Sequence, residues 1–432
     1  MSPSTELIGA SRVEKARLLQ ALLREKSQLA KTRPLASETA FLCDTSLDPA
    51  IQPCGPAQPM TAESAILLTG ATGFLGAHLL HDLCRLTSAT IYCLVRAGSD
   101  AQALARLEQN LACYTDLRLP TERIVAVPGD LAQPQLGLSA AAFDQLASRI
   151  DVICHNGAIL NHLARYERLR AANVGSTVDL LRLAGTHKPK WMYYISSMIA
   201  ATERDKEGLL LEQLPTAGTS ELSGGYAQSK WASEKLLAEA RRRGFGVTVY
   251  RPGIIGGRRD TGAWAVAHDH LLLLIKSCLQ LRCAAASSLI VDLTPVDFVS
   301  EAIARLSLAG PIHPVIHLSN PHPLPWTTLV GWLNSFGYPV RLVPFGVWQE
   351  ALARSGESNA LFPLLAIYLG ESLLEKRTLL IAKLVKVNRA LTAPMLASVN
   401  LKYPAIEREL FRRYVRHCVD CGFFPPDLRS HR

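Results

Sequence analysis

The segment AILLTGATGFLGAHLL, residues 65–80, constrains the possible folds more than any other part of the chain. It contains no acidic or permanently charged side chain, and Gly70, Gly73 and Gly76 recur every three residues after a short aliphatic run. A membrane-spanning helix needs roughly 18 or more consecutive apolar residues, and this segment is shorter and broken by glycine. The order of aliphatic run, glycines and second apolar run predicts a strand, a tight turn and a helix.

Composition narrows the class of protein. A chain of 432 residues, 48% hydrophobic and 19% charged, exceeds what one hydrophobic core usually supports, so we expect two folded units. The ten cysteines are scattered, which argues against a disulfide framework. Cys418 and Cys421 form a CxxC pair without further regularly spaced ligands, so no metal site is predicted.

Charge and targeting signals limit the possible partners. The net charge of +9 predicts a basic surface that attracts an acidic protein or a phosphorylated ligand. No basic patch is interleaved with aromatic residues, so nucleic acid is not an expected partner. The N-terminus has no apolar core after a basic stretch, and we expect a cytoplasmic protein without a membrane segment.

The chain divides into four predicted segments. Residues 1–31 carry helical periodicity and predict an amphipathic linker or docking helix, and the proline-rich residues 32–62 predict an extended tether. From 63 to 261 strand and helix patterns alternate, with candidate strands at 66–68, 90–95, 124–128, 152–155, 192–196 and 247–251. Residues 262–432 are mainly helical, with strands returning near 291–299 and 314–318. We therefore predict an α/β fold, a Rossmann-type doubly wound parallel sheet with a smaller, mainly helical C-terminal substrate lobe.

In such a sheet the first strand-to-helix turn lets backbone amides approach a pyrophosphate. Glycine permits both the turn and the approach, and the positive end of the helix dipole favours the negative charge. Glycine turns are common, but this one follows the first strand of an α/β alternation. The predicted dinucleotide-binding residues of this turn are Thr69, Gly70, Thr72, Gly73, Phe74, Leu75 and Gly76.

The next strands predict the kind of cofactor. Arg96 ends the second strand, at the position where an enzyme selective for NADH usually has an acidic residue. An arginine there can pair with a 2′-phosphate, so NADPH is favoured over NADH, with Arg106 as a second contact. Two further turns follow the third and fourth strands, where the adenine and the nicotinamide ribose would lie: Gly129, Asp130 and Leu131, then Asn156, Gly157 and Ala158.

The segment GGYAQSKWASEK predicts the chemistry. Tyr226 and Lys230 are four residues apart, so a helix places them on one face. A tyrosine hydroxyl has an unperturbed pKa of about 10, and a neighbouring ammonium is expected to lower it towards the working range. Lys230 is also expected to hold the nicotinamide ribose. Ser196 and Ser197 end a neighbouring strand and offer a hydroxyl to orient a substrate carbonyl.

These residues resemble the extended short-chain dehydrogenase/reductases, and within them the thioester reductase domains that terminate nonribosomal peptide synthetases and carboxylic acid reductases. The motifs that carry the resemblance cover most of the chain: LLTGATGFLGAHLL, YCLVRA, GDLAQPQLGLS, DVICHNGAILN, GYAQSKWASEKL, YRPGIIGG and TPVDFV. The resemblance adds Asn173 to the expected cofactor-binding residues. It also assigns the catalytic hydroxyl to Ser197, where threonine is usual in the family.

What the resemblance implies is NADPH-dependent release of an acyl or peptidyl thioester from the phosphopantetheine arm of a carrier protein. The product would be an aldehyde, and a second reduction would give an alcohol. Three alternatives stay open: non-reductive Dieckmann-type cyclisation, reduction or epimerisation of a small metabolite, and a docking module that holds a carrier protein without catalysis. The Tyr226 and Lys230 pair argues against cyclisation and against a pure docking module, because neither needs it.

Overall fold

The computed structural model describes residues 40–116, 120–161, 163–216, 222, 224–267, 269–310, 313–369 and 386–426. The predicted helix over residues 1–31 and the first part of the predicted tether lie outside the described residues. The strands of the described part are β1 Ile66–Thr69, β2 Ile91–Val95, β3 Ile124–Pro128, β4 Val152–His155, β5 Trp191–Ile195, β6 Val247–Pro252, β7 Ile254–Gly256, β8 Cys283–Ala285, β9 Ile290–Val291, β10 Leu293–Pro295, β11 Val315–Leu318, β12 Leu324–Pro325 and β13 Arg341–Val343.

Helices alternate with these strands. Those in the described part are α1 Phe74–Leu86, α2 Asp100–Tyr114, α3 Ala140–Arg149, α4 Tyr166–Arg170, α5 Ser176–Ala184, α6 Gly225–Arg242, α7 His270–Leu281, α8 Val296–Leu308, α9 Trp326–Ser335, α10 Phe345–Arg354, α11 Leu365–Leu369, α12 Thr392–Ser398 and α13 Arg408–Asp420. Within the residues that the structure describes, no helix has the length and apolar character needed to cross a membrane.

Seven parallel strands form the main sheet, in the order β11-β6-β5-β4-β1-β2-β3. Strand β1 pairs with β2 on one side and with β4 on the other, so that Leu68 lies beside both Cys93 and Cys154. The direction in which successive strands are added reverses at β1, and the crevice beyond the carboxyl ends of β1 and β4 is where such sheets bind ligands. The predicted doubly wound sheet is confirmed.

The strands follow from their sequences. Every residue of β1, β4 and β6 is buried, as expected for parallel strands covered by helices on both faces, which form nearly continuous apolar runs. The predicted strands at 124–128 and 152–155 have the observed bounds, and the four other strands predicted before residue 262 differ from the observed ones by one residue at one or both ends.

Helices cover the two faces of the sheet and form two separate cores. On one face α1, α2 and α8 bury side chains such as Leu79, Leu107 and Phe298. On the other face α3, α5 and α6 bury side chains such as Leu146 and Trp231. Both faces of the sheet are therefore sealed by packing, and its carboxyl edge is left for ligands.

The prediction of an extended tether over residues 32–62 is wrong for residues 40–62. Phe41, Leu47 and Ile51 are each only 3% exposed and pack into the core beneath α6, and Met60 packs into the opposite core. The Asp44 carboxylate accepts hydrogen bonds from the Tyr166 hydroxyl and the Arg170 guanidinium. The prolines do not prevent packing, because apolar side chains lie between them.

The C-terminal part differs from expectation at one strand. The strand predicted near 291–299 was expected to return to the main sheet, but β10 pairs in parallel with β7 in a separate two-stranded sheet. Strand β11 does join the main sheet, at its edge beside β6. Helices α7, α9 and α13 pack around a third core, and α10 and α11 pack with β8 around a fourth. The boundary of the substrate lobe stays a prediction.

Candidate active site

A cleft of about 1140 Å³ opens at the carboxyl ends of the central strands. It brings together most of the residues that the sequence predicts for the site: Gly70, Thr72, Gly73, Phe74, Leu75, Arg96, Arg106, Gly129, Asp130, Leu131, Asn156, Gly157, Ala158, Ser197, Tyr226 and Lys230. Thr69, Gly76 and Asn173 lie behind this lining. The cleft lies at the switch point between β1 and β4, and residues in or directly after six neighbouring strands, β1 to β6, contribute to it.

The glycines of the first turn are required by close backbone contacts. Gly70 has a φ of +72°, and a Cβ atom there would lie 2.7 Å from the Cα of Gly157. A Cβ atom on Gly76 would lie 1.9 Å from the carbonyl oxygen of Gly70, so the helix packs directly on the turn. Gly73 precedes α1 and offers no side-chain cap, and the first turn of α1 has no acidic residue. The turn therefore presents backbone N–H groups and the positive helix end to the cleft, which fits a pyrophosphate.

Side chains behind the lining hold this turn in place. The Thr69 hydroxyl accepts a hydrogen bond of 2.9 Å from the Gly157 N–H and lies 2.7 Å from Nδ1 of His155. The Asn110 amide donates to the carbonyl of Gly73 at 3.1 Å. Burial lowers the pKa of His155 to about 3, so its ring is neutral at physiological pH. Thr69 thus joins the ends of β1 and β4, and the structure gives it a supporting position.

The rim of the cleft near β2 is basic. Arg96 follows β2 directly, both Arg96 and Arg106 are exposed, and the Arg106 guanidinium donates a hydrogen bond to the carbonyl of Arg96. Beside them Asp130 shapes the turn after β3, because its carboxylate accepts a 2.9 Å hydrogen bond from the N–H of Ala132. Two neighbouring guanidinium groups at this edge suit an anionic group on a bound ligand.

Tight packing at the start of α6 places Tyr226. A Cβ atom on Gly225 would lie 2.5 Å from the carbonyl oxygen of Ala164 and 2.4 Å from the backbone nitrogen of Tyr166, so the helix begins in contact with the loop after β4. Tyr226 is half-buried and Lys230 is only 2% exposed. Both line the cleft, as expected for residues one turn apart on a helix.

The Lys230 ammonium group is enclosed by protein. Its Nζ donates a 2.7 Å hydrogen bond to the carbonyl of Ile195, at the end of β5, and lies 4.7 Å from the centre of the Tyr194 ring. Burial lowers the pKa of Lys230 to about 7, and the negative charge of Glu234 acts in the opposite direction. Lys230 therefore changes its charge near neutral pH.

The expectation that Lys230 lowers the pKa of Tyr226 is wrong for this structure. Burial raises the pKa of Tyr226 to about 12, because the surrounding protein destabilises the phenolate. Burial dominates this shift and outweighs any lowering of the pKa by Lys230. Tyr226 is accordingly protonated at physiological pH and is suited to donate a proton.

The two serines after β5 have different surroundings. The Ser197 hydroxyl accepts a 3.4 Å hydrogen bond from the N–H of Ile199 and caps a short helix over 198–200. Ser196 is only 4% exposed, and its hydroxyl donates a 2.5 Å hydrogen bond to the Glu234 carboxylate. Ser197 is the more accessible of the two, and its role as the catalytic hydroxyl stays a prediction.

Asn173 is buried and fixes the loop after β4. Its side-chain oxygen accepts a 2.8 Å hydrogen bond from the N–H of Ile159, and its amide donates to the carbonyl of Ile159 and to the Ser229 hydroxyl. These bonds join the loop to α6. The structure therefore shows Asn173 as a residue that positions the cleft wall, and direct contact with a cofactor stays a prediction.

A buried ion pair beneath the cleft was not predicted from the sequence. Glu234 and Arg251 are each 0% exposed, and Nε of Arg251 lies 3.0 Å from Oε1 of Glu234. Nη2 of Arg251 donates to the other carboxylate oxygen at 2.5 Å and to the carbonyl of Gln213 at 2.9 Å. Together with the bond from Ser196, these contacts tie β5, β6 and α6 together below Ser197.

The network extends into the C-terminal part through His317. Nη1 of Arg251 lies 3.2 Å from Nε2 of His317, whose Nδ1 lies 2.9 Å from the carbonyl of Asn388. Burial and the Arg251 charge lower the pKa of His317 to about 3, so the ring is neutral and these two contacts assign the proton to Nδ1. The only sequence signal was the position of Glu234, one helical turn after Lys230.

Comparison with known proteins agrees with this geometry. Residues 68–303, more than half of the chain, match an NAD-binding family described as "Male sterility protein". The chain belongs to this NAD-binding family. Membership implies a nicotinamide cofactor, which the glycine turn and the cleft are shaped to hold.

One solved structure narrows the comparison within the family. The chain is 36% identical to the terminal R domain from the myxalamid PKS-NRPS biosynthetic pathway. The match covers 90% of this chain and 99% of that domain, with a TM-score of 0.80. The chain therefore shares its fold and more than a third of its aligned residues with a terminal R domain.

Two long synthases contain matching regions. The chain is 34% identical over 384 residues to a component of the linear gramicidin synthase of Brevibacillus parabrevis. It is 35% identical over 432 residues to isonitrile lipopeptide synthase of Streptomyces coeruleorubidus. These matches cover 88% and 95% of this chain but only 8% and 28% of the synthases.

The buried ion pair generates a prediction about stability. Replacing Glu234 by alanine leaves the Arg251 charge buried without its partner, and we expect the free energy of unfolding to fall by about 3–5 kcal/mol. Glu350→Ala is the matched control, because Glu350 is also a helical glutamate paired with an arginine, but the side chains of Glu350 and Arg354 are exposed at 69% and 77%. The control should change the free energy by less than about 1 kcal/mol. Urea unfolding measures both variants, and equal losses would contradict the account.

Proposed function

We propose that this chain catalyses NADPH-dependent reductive release of an acyl or peptidyl thioester from the phosphopantetheine arm of a carrier protein, giving an aldehyde. The observation that carries the proposal is the cleft in which Ser197, Tyr226 and Lys230 meet the glycine turn after β1. A terminal reductase-domain relative and a nicotinamide-binding family support the same reaction class.

The side chains have distinct roles in the proposed reduction. When bound, the nicotinamide supplies the hydride that reduces the thioester carbonyl carbon. The Ser197 hydroxyl would donate a hydrogen bond to the carbonyl oxygen as negative charge develops on it, the kind of stabilisation that contributes most in such reactions. The Tyr226 hydroxyl would transfer its proton to the same oxygen, and its raised pKa keeps that proton available. Lys230 would provide positive charge near the phenolate that forms.

Release follows from the chemistry of the hemithioacetal produced by this step. Its C–S bond breaks as the oxygen loses its proton and the carbonyl re-forms, and the pantetheine sulfur takes up a proton. The products are an aldehyde and a free thiol. Tyr226 would regain a proton from solvent. A second equivalent of NADPH would be needed to reduce the aldehyde to an alcohol, with the same side chains in the same roles.

The relatives and the sequence both support the proposal that a carrier protein is the partner. Two matching proteins are named as synthases of peptides, and this chain corresponds to a small part of each. In sequence, the first 60 residues resemble the linker that joins such reductases to an upstream carrier domain, although residues 40–60 pack against the fold. The basic net charge of +9 also suits an acidic or phosphorylated partner.

The proposal is tested by following NADPH oxidation while the product is identified by mass spectrometry. The substrates are an acyl thioester of pantetheine and the same acyl group on a carrier protein. We expect NADPH oxidation, an aldehyde or alcohol product, and faster turnover with the carrier. Thioester loss without NADPH oxidation would show cyclisation or hydrolysis instead, and inactivity with varied acyl groups would favour a small-metabolite substrate or a docking role.

Tyr226→Phe removes the proposed proton donor and keeps the ring. We expect turnover to fall by about a hundredfold or more, while the dissociation constant for NADPH changes little, because the ring still fills its place. Tyr92→Phe is the control, since Tyr92 lies in β2 and does not line the cleft. Fluorescence titration measures cofactor binding, and equal turnover of the two variants would remove Tyr226 from the mechanism.

The pKa of Lys230 predicts a pH dependence. Because burial lowers that pKa to about 7, Lys230 is charged below pH 7 and loses its charge as the pH rises. We expect kcat/KM for NADPH, which reports ionisations of the free enzyme, to fall by about tenfold per pH unit on the alkaline side. In the Lys230→Arg variant the arginine stays charged throughout this pH range. Its kcat/KM for NADPH should therefore not fall on the alkaline side, even if the value is lower at every pH. A flat wild-type profile from pH 6 to 9 would contradict the assignment.

Arg96→Asp tests the preference for NADPH. Loss of a charge-assisted contact with the 2′-phosphate should lower kcat/KM for NADPH by roughly tenfold or more, while NADH is affected much less. The control is Arg416→Asp, which changes the net charge equally at an exposed position on α13 away from the cleft. An unchanged ratio of kcat/KM values for the two cofactors would show that Arg96 does not read the 2′-phosphate.

A further inference from the structure

The cleft continues beyond the predicted catalytic residues into a wall built by C-terminal elements. The aliphatic side chains of this wall come from β7, α7, α11 and the segment around β9: Ile254, Leu271, Leu274, Leu289, Val291 and Ile367. We call this part of the cleft the distal chamber. Its side chains belong to or pack against the third and fourth cores, which hold the wall in place.

The polar groups of the distal chamber join elements of its wall. The Asp269 carboxylate accepts hydrogen bonds from the N–H of Leu272 at 2.9 Å and from the Trp264 indole at 3.1 Å, so it caps α7. Nε2 of His270 lies 2.6 Å from the Tyr368 hydroxyl, which connects α7 to α11. Among the described residues of these C-terminal elements, neither lysine nor arginine lines the chamber.

This composition makes a charged ligand group unfavourable. Burial raises the pKa of Asp269 to about 6, which shows that the chamber solvates negative charge poorly. Arg204 also lines the cleft, but its guanidinium donates a 2.8 Å hydrogen bond to the carbonyl of Gly208. A carboxylate entering the chamber would lose its water shell without meeting a lysine or arginine from the described residues of these C-terminal elements, and it would lie near the Asp269 charge. An aliphatic chain gains about 25 cal/mol for each Å² of apolar surface that it buries.

The size of the cleft leaves room for such a chain. Small-molecule sites usually enclose roughly 300–1,000 Å³. The volume of about 1140 Å³ lies above this range and spans both the glycine turn and the distal chamber. A cofactor at the turn therefore does not exhaust the space.

We propose, on the basis of the reductase function proposed above, that the distal chamber selects a neutral, mainly aliphatic acyl group and excludes acyl groups that end in a carboxylate. The chain length and the charge of the acyl group then determine which thioesters are reduced. Leu274, half-buried on the cleft side of α7, is a specificity-determining residue in this account.

The first experiment compares wild-type kcat/KM for the butanoyl, octanoyl and glutaryl thioesters of pantetheine. We expect octanoyl to exceed butanoyl by about tenfold or more, because the added methylenes are buried, and glutaryl to be the poorest. A glutaryl thioester reduced as well as octanoyl would overturn this inference and leave the reductase function standing. Failure to reduce any thioester, including carrier-bound ones, would overturn both.

The second experiment fills the chamber with Leu274→Trp. We expect kcat/KM for octanoyl to fall by about tenfold or more while that for butanoyl stays within about threefold, because only the longer chain reaches the added ring. Leu273→Trp is the matched control, since Leu273 is the neighbouring residue of α7, packs against the fourth core and does not line the cleft. Equal losses in both variants, or an unchanged octanoyl value in Leu274→Trp, would overturn the assignment.

Both variants are first compared with wild type by thermal unfolding and by NADPH binding. If Leu274→Trp does not fold, Leu274→Phe shortens the chamber by a smaller amount and takes its place, with Leu273→Phe as its control. The same comparison of kcat/KM for the octanoyl and butanoyl thioesters then tests the role of Leu274, with a smaller expected loss for octanoyl.

Discussion

The buried ion pair between Glu234 and Arg251 holds the parts of the candidate active site in register. Glu234 lies one turn after Lys230 on α6. Besides pairing with Arg251, its carboxylate accepts a hydrogen bond from the Ser196 hydroxyl at the end of β5. Because both charges are fully buried, neither can lose its partner without a large cost, and the helix is fixed against the strand ends. The relative positions of Ser197, Tyr226 and Lys230 depend on this attachment. The same carboxylate opposes the lowering of the Lys230 pKa by burial.

The sheet and the cofactor half of the cleft could be predicted because their signals are local. Buried parallel strands such as β1 and β4 are nearly continuous apolar runs, and Gly70 and Gly76 occupy positions where any Cβ atom would clash with the backbone. The pKa of Tyr226 could not be predicted, because burial is a property of the whole fold and outweighs the neighbouring lysine. The packing of residues 40–62 could not be predicted because the prolines suggested an extended chain. The ion pair of Glu234 could not be predicted because its partner, Arg251, lies on a separate strand.

The two halves of the cleft are built by different means. Near β1 and β4 the lining is largely backbone and glycine, whose positions follow from the sheet itself. The distal chamber is lined by side chains from elements that pack in separate cores. Substitutions in the distal chamber can therefore change which ligand fits while the sheet, the glycine turn and the predicted catalytic residues stay as they are. This arrangement fits the occurrence of similar regions in synthases that are named for different products.

The most direct test of the central claim is the transfer of deuterium from NADPH labelled at both C4 positions to the released product. Carrier-bound octanoyl thioester is the substrate, and mass spectrometry measures the label in the product. Reductive release predicts an aldehyde with deuterium on its carbonyl carbon, or an alcohol with deuterium on the corresponding carbon, and no label in the Tyr226→Phe variant above background. A released product without deuterium, formed by hydrolysis or cyclisation, would contradict the account.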